Sequence, residues 1–319
     1  MHAAEEGEPL GVDGAMGQGI LGVTVDIEDW YHIPSVTGSP FAVYRDTAEF
    51  YARWEGRYDY LTEPTRRVLN LLDDFGITAT FFVVAEVVDR YPGLVEEIAD
   101  HGHEIACHGL THACKIDHRT RRPLFSSEEF VQRTEQARRI LEGVAGQKVV
   151  GYRAPNALVG GWMLDALEEL GFRYDSSVSR NSFYNKTDGD LSGVSTAPYL
   201  PVRHGLGPGG DRAILELPWA ILDLAGLKIP ASGGPLLRFL GARAILHGLR
   251  QSLARGPAIF YFHPLDIFDE TFPPVGKNRP FYWLIKGKVV EDRIRYLLRE
   301  LQDTPARPLR EIAGETDAG

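Results

Sequence analysis

Short apolar runs rich in β-branched residues alternate along the chain with stretches whose apolar positions return every three or four residues. Residues 20–26 (ILGVTVD) and 77–85 (ITATFFVVA) are apolar almost throughout and predict strands buried on both faces. Further strands are predicted at 103–107, 148–155, 172–177, 213–218 and 258–264. Helices are predicted over 63–75, 92–101, 127–144, 162–170, 235–253 and 289–301. Local chemistry punctuates them. Thr62 can cap the first helix with Pro64 in its first turn, Ser126 and Glu129 form a capping box, and Gly76, Gly102 and Gly171 stop helices. Repeated strand–helix units with apolar strands indicate an α/β fold, a parallel sheet covered by helices, either open and doubly wound or closed as a barrel. In both, ligands gather at the carboxyl ends of the strands. Residues 180–211 lack periodicity, and so long a loop in a compact domain usually carries function or is disordered.

The organisation expected is a flexible leader over 1–19, one domain over 20–304 and a flexible tail over 305–319. With 44% hydrophobic and 24% charged residues, the composition is that of an ordinary globular protein, which excludes disorder, collagen and coiled coil as whole-chain readings. Lys and Arg number 34 against 44 Asp and Glu, a formal charge of −10, which argues against a nucleic-acid partner. Cys107 and Cys114 are too few for a disulfide framework. No apolar stretch approaches the roughly 18 residues that span a bilayer. The acidic, Gly-rich leader lacks the basic and apolar regions of a signal peptide, so a cytoplasmic location is expected.

Chemistry concentrates where strands end. The first runs into Asp26-Ile27-Glu28-Asp29-Trp30, the third into Cys107-His108-Gly109-Leu110-Thr111-His112, and the fourth into Arg153-Ala154-Pro155-Asn156. The fifth ends at Asp175 and a late one at His263-Pro264. On a parallel sheet all five clusters face one cavity. His108 and His112, four apart, lie on one face if the segment is a helical turn. Two His with one carboxylate is a common set for a catalytic divalent metal, and Asp26, Glu28 and Asp29 are the candidates. Arg153 follows a buried strand, where an unpaired guanidinium is costly, and Asp26 is an attractive partner. Asp175 and His263 can form a couple in which the carboxylate fixes the imidazole tautomer.

These segments, TVDIEDW, CHGLTH, GYRAPN, YDSS and FHP in that order, resemble the polysaccharide deacetylase (NodB-homology) superfamily, and most of all the branch associated with exopolysaccharide loci, which carries a similar carboxy-terminal extension. The resemblance covers roughly residues 21–301. It implies an irregular, incomplete (β/α) barrel and metal-dependent removal of acetyl groups from N-acetylated sugars. Asp26 then matches the catalytic base, His108 and His112 the metal-binding histidines, and Arg153 the arginine that orients the base. Asp175 matches the acidic residue tuning the acid histidine, and His263 that histidine. The implied cofactor is a divalent ion, zinc first, with cobalt, nickel and manganese as alternatives. For the metal carboxylate Glu28 and Asp29 compete; strand alternation puts Glu28 on the face of Asp26. Asn156 stands where many members have Tyr, and its backbone N–H can still serve an oxyanion.

The expected partner is an N-acetylated carbohydrate, with Trp30, Tyr31, Phe183, Tyr184 and Trp219 as aromatics suited to a sugar face. Two other readings compete. One is an amidohydrolase of the same fold acting on a cyclic amide or ureide. The other is a catalytically silent glycan-binding protein, which would need no proton-transfer pair.

Overall fold

The apolar runs of the sequence become the centre of the molecule. A computed structural model describes residues 19–314 apart from 34, 38–41, 54–58, 118, 121, 184–186, 188, 190, 192, 195, 196, 211 and 270–283. The leader expected over 1–19 lies almost wholly outside the described residues. Strands run in the order β1 (Leu21–Ile27), β2 (Thr80–Val83), β3 (Glu104–Cys107), β4 (Gly151–Tyr152), β5 (Tyr174–Asp175), β6 (Leu215–Glu216), β7 (Ile221–Leu224), β8 (Leu227–Pro230) and β9 (Ala258–Phe262). The helices are α1 (Thr47–Arg53), α2 (Thr62–Asp74), α3 (Val87–Arg90), α4 (Leu94–Asp100), α5 (Ser127–Ala145), α6 (Gly161–Glu169), α7 (Gly234–Leu240), α8 (Ala242–Leu253), α9 (Lys288–Glu300) and α10 (Leu309–Ile312). None is long and apolar enough to cross a membrane.

Seven strands form one parallel sheet in the order β6-β5-β4-β3-β2-β1-β9. The sheet curls into the incomplete (β/α) barrel. Its edges are joined by the segment after β6: Trp219 N donates to Val178 O and Ala220 N to Ile259 O, both at 3.0 Å.

Strand alternation sorts side chains to the two faces of the curl. Val23, Val25 and Ile27 of β1, with Phe81, Val83, Ile105 and Tyr152, pack outward against the helices as the main core. Phe82, Ala106, Tyr174, Leu217 and Ile259 fill the interior, closed at the amino-terminal end by Leu309 of α10. Gly22, Thr24 and Asp26 alternate with the outward set, so β1 delivers a carboxylate to the inner rim.

Close approach explains one glycine. A Cβ on Gly151 would lie 2.0 Å from Tyr174 Cζ, and that ring is anchored by its hydroxyl donating to Glu104 Oε1 at 2.8 Å. Gly151→Ala is expected to destabilise the protein by about 1–3 kcal/mol through overpacking, read as a lower urea midpoint at unchanged slope.

Four differences from the sequence expectations have physical causes. The helix predicted over 235–253 breaks into α7 and α8 at Gly241, whose φ of 79° leaves the helical region. β7 and β8 form an unpredicted antiparallel hairpin, turned by Ala225 and Gly226 at φ 52° and 95°, the left-handed pair such tight turns require. At α2 the cap is Leu61 rather than Thr62, and Asp59 Oδ1 accepts from the N–H groups of both. The tail expected to be flexible from 305 is docked as far as 314. Leu21 N donates to Pro305 O, Arg307 N to Leu21 O, and Leu309 N to Thr80 Oγ1 at 2.7 Å, which buries Leu309 in the barrel floor.

Candidate active site

Glu28, one residue beyond β1, keeps the inward parity of Asp26 and meets two imidazoles. His108 and His112 lie on the loop after β3 rather than on a helical turn; Gly109, at φ 94°, bends the chain between them. One ligand atom each of Glu28, His108 and His112 lies within 4.8 Å of the others, and all three residues are buried. His108 Nδ1 is 2.8 Å from Arg153 O. A carbonyl only accepts, so Nδ1 carries the proton and the Nε2 lone pair faces Glu28 Oε2 at 3.7 Å. His112 Nε2 contacts the same oxygen. Burial outweighs the facing Glu28 and pushes the His112 pKa down to about 4, so this imidazole is neutral near pH 7. Burial alone would raise Glu28, but His112 and His263 outweigh it and hold the carboxyl well below its usual range. Two imidazole nitrogens and a carboxylate oxygen thus converge within reach of one cation. The donor set, two nitrogens and one oxygen with the proton of His108 fixed on the far nitrogen, fits a zinc-like divalent ion with an open position.

Asp29 turns away from this cluster. Its Oδ1 accepts from Trp30 N at 2.7 Å, its other oxygen takes the Tyr91 hydroxyl, and Arg90 Nε is 3.4 Å from that oxygen. It caps the short 3-10 turn Trp30–His32, and that commitment removes it from the metal set. Trp30, expected at the substrate, is instead buried edge-on against Phe50 and Tyr60 at centroid distances of 5.2 and 6.0 Å. Tyr31 joins the same cluster.

Asp26 Oδ1 accepts from Arg153 Nη1 at 2.6 Å. The guanidinium also donates to Thr24 Oγ1, Ser176 O and Ser176 Oγ at 2.9–3.0 Å, and lies 4.0 Å above the Phe82 ring. The expected pairing is present, and each guanidinium nitrogen has a partner in an almost water-free setting. Asp26 Oδ2 remains, 4.0 Å from His263 Nε2.

The carboxylate behind His263 is Asp266, not Asp175. Asp266 Oδ2 accepts from His263 N at 2.8 Å and lies 3.1 Å from Nδ1, while Oδ1 takes Arg238 Nη2 at 2.6 Å. Nε2 of His263 faces Glu28 Oε1 at 3.3 Å. Burial would lower this imidazole, but Glu28, Asp266 and Asp26 outweigh it and raise its pKa to about 9. It is therefore a cation at neutral pH. Asp175 follows the inward Tyr174 and so points to the opposite face. It accepts from Ser177 Oγ at 2.8 Å and Ser177 N at 3.1 Å, and pairs with Glu216. Burial and the neighbouring Asp175 raise Glu216 well above the carboxylate range, so this pair holds a proton behind Arg153. Asp266, Arg238 and Glu216 are additions to the sequence reading. Asp266, three residues after His263 across a Pro, was the one with a local signal.

Asp26, Glu28, His108, His112, Arg153 and His263 line a cavity of about 180 Å³ together with Asn156, Trp219 and Tyr261. Asn156 takes φ 59° in the tight turn after β4, with Nδ2 3.3 Å from Cys114 Sγ. Phe183 is exposed, and Tyr184 lies outside the described residues.

Residues 56–174 match the polysaccharide deacetylase family, and residues 182–309 match a domain of unknown function, DUF3473. A peptidoglycan deacetylase of Helicobacter pylori is 25% identical over 234 residues, which cover 70% of this chain and 75% of that protein. A peptidoglycan deacetylase-like protein of Gibberella zeae is 29% identical over 117 residues, 35% of this chain; the match spans only 32% of the fungal protein. Among solved structures, a Mycobacterium smegmatis protein named as a candidate polysaccharide deacetylase has the same fold, with a TM-score of 0.60 at 23% identity over 97% of this chain and 93% of that one.

Proposed function

The chain carries a polysaccharide deacetylase domain followed by a DUF3473 region, and from that premise we propose that it is a metal-dependent hydrolase removing the acetyl group from an N-acetylated sugar. The observation that carries the reading is the convergence of three kinds of group on one cavity: a Glu-His-His triad within reach of one ion, an arginine-held carboxylate and a histidine backed by a carboxylate. Binding alone needs no such proton-transfer pair.

A divalent ion held by Glu28, His108 and His112 would polarise the amide carbonyl and lower the pKa of a water toward about 7. Asp26, fixed through Oδ1 by Arg153, offers Oδ2 to take the proton of the attacking water. The oxyanion that develops on the former carbonyl lies beside the turn at Asn156, whose backbone N–H is the proposed donor; one such donor is worth about 2.7–4 kcal/mol. His263, oriented through Nδ1 by Asp266, gives its Nε2 proton to the departing nitrogen, which cannot leave as an anion. One amide and one water become acetate and a free amino sugar.

The test is acetate release from N-acetylglucosamine oligomers by protein stripped of metal and reconstituted with zinc, cobalt, nickel or manganese. Activity restored by at least one of these ions is expected. Hydrolysis of cyclic amides or ureides with no acetate from any saccharide would favour the competing chemistry. The pH profile carries a sign. The proton on His263, held through Asp266 and Asp26, is present at lower pH and lost as pH rises, so kcat is expected to fall on the basic side.

A further inference from the structure

Beside the catalytic cavity lies a second one of about 240 Å³. The two share Ala157, Trp219, Pro235 and Tyr261 among their lining residues, so they adjoin one another. Of the ten residues lining the second cavity, seven belong to the region of unknown function, among them Thr187, Trp219, Ser232, Leu236 and Tyr261.

Its chemistry is specific. Trp219 and Tyr261, with ring centroids 4.3 Å apart, present apolar surface, and Leu236 and two prolines extend it. Polar groups are hydroxyls and one amide: Ser179, Asn181, Thr187 and Ser232. Ser232 Oγ accepts from Tyr261 N at 2.7 Å, an arrangement that leaves its own proton to give. Among the described lining residues none is charged. Arg180, next to two of them, donates instead to Val194 O at 3.0 Å. Aromatic and aliphatic faces with a few neutral hydrogen-bonding groups suit a sugar ring. A diphosphate is held most strongly by Arg, Lys or a metal, and no Arg or Lys is among the described lining residues.

On the reading that this is a sugar deacetylase, we infer that the DUF3473 region builds a binding subsite for a neutral saccharide unit joined to the N-acetylated one. The substrate class is then a neutral di- or oligosaccharide, not a monosaccharide and not a sugar whose diphosphate would fill the second cavity.

Calorimetry with a neutral N-acetylglucosamine disaccharide, the monosaccharide and a nucleoside diphosphate sugar tests this on the full chain, alongside acetate release from each. Wild-type protein should bind the disaccharide at least tenfold more tightly than either other ligand, with the same order in kcat/KM. Leu236→Trp, which fills the second cavity, should collapse that ratio toward one, and Asn181→Ala, on a less buried loop, should lower it several-fold. Equal binding of mono- and disaccharide by wild type, tightest binding of the diphosphate sugar, or a ratio untouched in both folded variants would overturn the subsite. Selective disaccharide binding without acetate from any ligand would support the subsite and sink the deacetylase reading, so the two fail separately.

Discussion

Asp26→Asn is expected to lower kcat by about 10²–10⁴-fold, the usual worth of a general base, while the protein keeps its metal. The prediction follows from the division of labour on β1 and its exit. Asp26 is held by Arg153 and stands outside the three-residue ligand cluster, whereas Glu28 is inside it. Glu28→Gln should therefore lose metal and activity together. Metal analysis of the two purified variants, paired with acetate release, separates the roles. Should Asp26→Asn lose its ion and Glu28→Gln retain one, the two carboxylates have been assigned the wrong way round. Arg153 should keep its other donations to Thr24 and Ser176 in the first variant, which favours a folded protein.

The second large effect is expected at Asp266. Replacing it with Asn removes a charge that raises the His263 pKa and orients the ring through Nδ1. The basic limb of the kcat profile should move to lower pH, and kcat should fall by about 10²-fold, the low end of general-acid contributions. Asp175→Asn should leave that limb in place, because its carboxylate lies on the other face with Ser177 and Glu216. A limb that moves in Asp175→Asn and stays in Asp266→Asn would restore the pairing that the sequence suggested.

The contrast between those two aspartates shows where sequence reasoning reached and where it stopped. Strand ends on a parallel sheet must share a rim, so Asp26, His108, Arg153 and His263 could be placed together from apolar runs and their termini alone. Glu28 could be favoured over Asp29 by parity. Partners across space were less legible. The same parity, applied to Tyr174 and Asp175, would have turned Asp175 outward, but nothing local says which of two adjacent residues faces in. Arg238 reaches Asp266 from a helix that only the break at Gly241 positions, and a lone Gly inside a helical pattern is a weak signal. Trp30 differs for a related reason: an aromatic beside a candidate site carboxylate suits a sugar as well as it suits a core, and only the neighbours Phe50 and Tyr60 decide. The docked tail had no periodicity to announce it; its hold combines a backbone pairing with Leu21, the buried Leu309 and donations to Thr80 and Glu104.

The pairing of β1 with β9 reaches beyond geometry. Leu21 lies beside Ala258 and Val25 beside Phe262, so the carboxylates made first and the histidine made last meet across more than two hundred residues of chain. During synthesis the first strand must wait, one edge uncovered, until β9 has emerged, and contacts of such sequence separation form slowly. The boundary between the two matched families is therefore no place to cut. A fragment ending there lacks His263, the proposed proton donor, and a sheet neighbour for β1, and the remaining piece lacks Asp26 and Glu28. The proposed chemistry needs both pieces folded as one.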